Sequence, residues 1–142
     1  MINSKYAPIN IAEYGAKDLN ANFQGTKFSS FPSTSTTHDF KVDDDHILDG
    51  CEISAIGQIA LGDYFIGQVV DKDNILGFGA GVILNQFVPK WFLVPGVIRQ
   101  LDFSSRYPAK ILNGLYLRII YVSTGLTPVD VIVNYKLHKI LW

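Results

Sequence analysis

The chain is poor in the residues that carry most enzyme chemistry. It has a single cysteine, Cys51, so no disulfide can close within it. An isolated thiol in apolar company is usually a small buried hydrophobe. One methionine and two glutamates in 142 residues leave strong helix formers scarce. Charged residues make up 18%, below the roughly 25% of an ordinary soluble domain, and the formal net charge is only -1. A nucleic-acid partner recognised through a global basic field is therefore not expected. No apolar run approaches the ~18–20 residues of a membrane-crossing helix, so no membrane partner is expected either. The opening M-I-N-S-K-Y-A-P has no apolar stretch after its lysine and does not read as a signal peptide.

Aromatics and glycines are plentiful. Nine Phe, seven Tyr and two Trp make 13% of the chain, beside twelve Gly and many Val and Ile. This is strand-and-turn composition, and 48% hydrophobic residues suffice to fill a core. From Val129 the odd positions run Val, Val, Val, Tyr, Leu and the even ones Asp, Ile, Asn, Lys, His, a period of two that a helix does not fit. G-L-Y-L-R-I-I-Y-V at 114–122 precedes it, across the turn cluster S-T-G-L-T-P, and the two runs are expected to form a hairpin. Residues 50–60 and 62–71 are expected to pair in the same way around Leu61-Gly62-Asp63. V-I-L-N-Q-F-V-P-K-W-F-L-V reads as one strand, bent or broken at Pro89. The fold expected is all-β: an antiparallel β-sandwich of jelly-roll type over 39–142, with Leu117, Ile119, Val131, Val133 and Tyr135 facing its core.

Residues 1–38 carry aromatics without a sustained period: Tyr6, Tyr14, Phe23, Phe28 and Phe31, followed by S-S-F-P-S-T-S-T-T. Ordering such a segment costs roughly 1–2 kcal/mol per residue, and it has no face on which to fold by itself. An extended N-terminal arm is expected, its five rings contacting a neighbouring subunit; the competing expectation is an edge strand on its own sandwich. Charge is segregated as well. Residues 43–74 sum to -7 and residues 75–142 to +5, which predicts oppositely charged strands that meet within one sheet or lie as solvated faces or, more sharply, meet between copies.

No chemical motif survives inspection. D-D-D-H at 43–46 alternates sides in an extended chain and reads as a solvated turn. D-K-D-N-I-L-G at 71–77 begins like a calcium loop, yet Leu76 and Val82 stand where Gly and Glu are required. G-F-G-A-G at 77–81 lacks the dinucleotide spacing, and there is no phosphate loop. His138 reads as a surface residue, while His38 and His46 flank the acidic stretch without a nucleophile at hand. No catalytic, cofactor or metal site is expected. Trp91 and Tyr116 are the candidates for stacking on a sugar ring, against the simpler reading of core or interface anchors.

Three stretches, G-D-Y-F-I-G-Q-V-V-D-K-D at 62–73, G-L-Y-L-R-I-I-Y-V-S-T-G at 114–125 and V-D-V-I-V-N-Y-K-L-H-K at 129–139, resemble small β-sandwich virion structural proteins of tailed bacteriophages and prophages. The likeness spans about residues 45–140. It implies a non-enzymatic part of a phage particle, made in the bacterial cytoplasm and located in the virion. The form expected is a minor capsid or decoration (cement) protein that contacts capsid or tail subunits in repeated copies. A tail or fibre module binding host-surface glycan is the alternative.

Overall fold

The computed structural model describes residues 22–140, with their side chains except at 22–24, 84–86 and 105–108. This span contains eight strands and no helix: β1 (Asn22–Ser30), β2 (Ser35–Lys41), β3 (His46–Ile56), β4 (Tyr64–Asp71), β5 (Gly81–Phe92), β6 (Arg99–Ile111), β7 (Tyr116–Val122) and β8 (Val129–Lys139). They form two antiparallel four-stranded sheets, ordered β1-β8-β3-β6 and β2-β7-β4-β5. The sheets face each other across one core, a sandwich-like all-β arrangement.

Alternation builds that core. Val129, Val131, Val133, Tyr135 and Leu137 on β8 point inward, as do Leu117, Ile119 and Tyr121 on β7, all essentially without exposure. Ile53 and Cys51 of β3 and Phe65 of β4 complete its centre. Burial of each large side chain contributes about 1.5–3 kcal/mol. The five core residues named from the period of two are all inside.

Strand pairing departs from the sequence reading. β7 and β8 do not form a hairpin, because they belong to opposite sheets. β3 and β4 likewise part, so 57–63 bridges the sheets rather than turning within one. Among the described strands the one consecutive pair that hydrogen-bonds is β4–β5. β5 continues through Pro89, and β6 contains Pro108; both are edge strands, where a missing N–H can face away from the ladder. Gly50 sits at a register shift of β3 against both of its neighbours, where a Cβ would lie 2.0 Å from the Phe103 carbonyl oxygen. Only glycine fits there.

The expected arm also needs correcting from residue 22 onward. Residues 22–30 pair in register with β8, and β2 pairs with β7, so each supplies an edge strand to its own sandwich. Their inward positions are Thr26, Phe28 and Ser30 on β1 and Thr36, His38 and Phe40 on β2. That polar mixture hides the alternation. It works at an edge because the two strands close the side of the sandwich on each other. The Phe28 and His38 rings stack at 5.1 Å, and Thr26 Oγ1 hydrogen-bonds His38 Nε2. Residues 1–21, with Tyr6 and Tyr14, lie outside the described residues.

Candidate functional site

Because successive strands run in opposite directions, four connections gather at one end of the sandwich: 31–34, 57–63, 93–98 and 123–128. Hydrogen bonds knit them together. Ser33 Oγ donates to the Gly125 carbonyl at 3.1 Å, and Ser123 N to the Thr34 carbonyl at 2.9 Å. Leu93 N donates to the Asp63 carbonyl, and Ala55 N to the Ile98 carbonyl, both at 2.9 Å.

The centre of this end is Asp63, which is fully buried. Its carboxylate accepts from Thr124 N (2.6 Å), Thr124 Oγ1 (2.8 Å), Ala60 N (3.2 Å) and the Tyr121 hydroxyl (3.2 Å). Four donors saturate an acceptor-only group and tie 57–63 to 123–128. Burial, and then the Asp63 charge, push the Tyr121 phenol well above its usual pKa, so it stays a donor. Gln100 organises the neighbouring loop. Its side chain accepts from Val94 N at 2.9 Å and donates to the carbonyls of Val94 and Val97.

These loops offer solvent large apolar side chains beside uncharged polar ones, Ser33, Thr34, Gln58, Thr124 and Thr127. Leu126 is 92% exposed, Leu61 86%, Ile98 63% and Phe31 62%, with Val94 and Val97 about half exposed beside them. Their sequences, F-P-S-T, G-Q-I-A-L-G-D, L-V-P-G-V-I and S-T-G-L-T-P, contain one charged residue, the buried Asp63. Single exposed apolar residues are ordinary; a contiguous uncharged set marks an interaction surface.

The other end is different in kind. Loops 42–45, 72–80 and 112–115 carry Asp43, Asp44, Asp45, Lys72 and Asp73. Asp44 pairs with Lys139 at 3.2 Å, and Asp45 Oδ1 accepts from Asn113 N at 2.8 Å. These residues and Ile140 line a shallow depression of about 190 Å³. Buried Asp71 accepts from Ile75 N (2.8 Å) and Leu76 N (3.0 Å), shaping the β4–β5 turn. Gly77 and Gly79 there have φ of 81° and 94°, so G-F-G-A-G is a turn that holds Phe78 out in solvent.

The remaining sequence candidates do not converge. Phe28 packs in cis against His38, Phe31 stands at the uncharged end, and the Phe23 side chain lies outside those described. Trp91 donates its indole N–H to the Gln100 carbonyl at 3.0 Å, tying one sheet to the other. Tyr116 donates to Asp73 at 2.8 Å under the ammonium groups of Lys72 and Lys41. Trp91 shares a register row with Phe65 and Tyr121, five residues along β7 from Tyr116, roughly 17 Å. The two rings do not share a groove.

His38, His46 and His138 also stay apart in role. His46 Nδ1 is 3.0 Å from the Asp44 carbonyl oxygen. His138, read as a surface residue, is buried beside Asp49, and desolvation lowers its pKa despite that carboxylate. Burial pushes the Cys51 thiol up to about 12, which keeps it protonated. Among the described residues no three His, Cys, Asp or Glu side chains gather to hold a metal ion.

The segregated charge meets within the chain where Arg99 pairs with Glu52 at 3.0 Å and Lys139 with Asp44 at 3.2 Å. Other ion pairs do not join the two blocks: Arg118 and Lys72 both reach Asp39, at 2.7 Å and 3.5 Å, and Lys136 pairs with Asp102 at 2.9 Å. The uncharged end is the feature that sequence reasoning missed. Its only local signal was apolar residues placed inside Pro/Gly turns, as in L-V-P-G-V-I.

No protein-family model matches the chain, and no curated protein matches it in sequence.

Proposed function

We propose that this chain is a non-enzymatic assembly protein that docks through its uncharged loop end, and that its setting is the virion of a tailed phage, as a minor capsid or decoration protein. The observation that carries the docking role is the set of apolar side chains on four hydrogen-bonded loops whose one charged residue, Asp63, is buried. A surface already rigid when free loses little entropy on binding. The strand orders β1-β8-β3-β6 and β2-β7-β4-β5 favour a match to the jelly roll, an architecture shared by viral capsid and lectin domains. That match and the sequence resemblance support the virion setting.

Purified virions of the phage or prophage that encodes the chain provide the test. Immunogold label on particles, lost for Leu126→Asp, is the expected result. A chain that never cosediments with particles sinks the virion setting. Glycan-array binding abolished by Trp91→Ala would replace docking with the tail or fibre reading.

A further inference from the structure

We propose that the occupant of the uncharged loop end is a second copy of this chain, set end to end about a two-fold axis. The proposal rests on that end being the docking surface and not on the virion setting. Two observations select a copy of itself. The first is electrostatic. A two-fold contact brings each group near the axis against its own twin, so a charged patch meets its own sign. The faces and the opposite end carry ion-paired Asp, Lys and Arg, whereas 31–34, 57–63, 93–98 and 123–128 have only Asp63, buried and saturated by four donors. This end can meet itself without like-charge repulsion.

The second observation is area. Phe31, Leu61, Val94, Val97, Ile98 and Leu126 are 42–92% exposed, on the order of 100 Å² each given what a large side chain can bury. The six present roughly 600–700 Å², close to the ~800 Å² per partner of a standard stable interface. The Gln100 clamp on Val94 and Val97 and the Asp63 clamp on Thr124 hold the backbone that carries them.

The full chain is tested by sedimentation velocity across the micromolar range, together with spin labels at Thr127→Cys or Lys72→Cys. Cys51 is buried and stays unlabelled. The expected result is a concentration-dependent dimer with short label-to-label distances from position 127 and long ones from position 72. Leu61→Asp and Leu126→Asp should each weaken it about 30-fold or more while keeping the wild-type urea midpoint, and Phe78→Asp should leave it unchanged. A strict monomer overturns the proposal, as do short distances from position 72 or dimer loss in Phe78→Asp alone. A monomer that binds uncharged phosphatidylcholine vesicles through Leu126 also overturns it, in favour of a lipid surface. If the monomer labels virions and Leu126→Asp does not, the self-contact fails while docking stands. A loop-end dimer absent from virions leaves the self-contact standing and removes the virion setting.

Discussion

Asp63 and Asp71 are both buried aspartates at loop junctions, one at each end of the sandwich, and their surroundings differ sharply. Asp63 joins two loops that each cross between the sheets, at the ends of the neighbouring strands β4 and β7, and every group bonded to it is a donor from its own chain. Asp71 caps two amides of a single turn and leaves that turn open to water. Around Asp63 the exposed side chains are Leu, Phe, Ile and Val with uncharged Ser, Thr and Gln between them; around Asp71 they include Asp and Lys, with Ile75 and Phe78 among them. The one charge of the first end is consumed internally, which leaves its surface uncharged. The second end keeps its charges outside, where water solvates them.

Removing the clamp should separate the ends most strongly. Asp63→Ala takes the acceptor from four donors, the Tyr121 hydroxyl buried and the other three part-buried, and should cost about 3 kcal/mol in urea unfolding. It should also expose 123–128 to proteolysis. Asp71→Ala, with two amides to strand beside solvent, should cost about 2 kcal/mol and leave the uncharged end intact. Equal losses in the two variants would contradict the difference drawn between them.

A smaller effect tests the charged side through pH. The Arg118 guanidinium, bonded to both Asp39 oxygens, holds that carboxyl below its ordinary value of 3.8, with Lys72 helping and partial burial opposing. A depressed carboxylate stabilises the fold above its unfolded pKa and loses that contribution as pH falls through the folded value. Asp39→Asn should therefore be less stable than the parent by about 1 kcal/mol near neutrality, and the gap should close as pH drops below 3.8. A gap that persists at pH 2 would assign it to packing. The smallest change belongs to Lys139→Ala. Its pair with Asp44 is more than half exposed on both sides, so stability should shift by less than about 0.5 kcal/mol and the difference should vanish in high salt.

The candidate docking end was only half legible in advance. L-V-P-G-V-I and the Leu of S-T-G-L-T-P show apolar residues in turns, but separate turns say nothing about convergence. Of the rings picked out early, Phe31 stands at this end, whereas Trp91 ties β5 to the Gln100 carbonyl and Phe28 stacks on His38. An aromatic residue in a sequence has a size but no assigned neighbour.

By itself the sequence determined that this is a β protein, which residues of β7 and β8 turn inward, and where most turns fall. Those properties follow from local chemistry, a period of two and turn-forming side chains. Tertiary structure decided that Val122 and Val129, six residues of turn apart, belong to opposite sheets, and that 22–41 supplies two edges. A strand's alternation says which face is buried, whereas its ladder partners are chosen by backbone groups that are the same in every residue. The choice falls to the arrangement that buries all inward faces at once, and only the whole chain contains it.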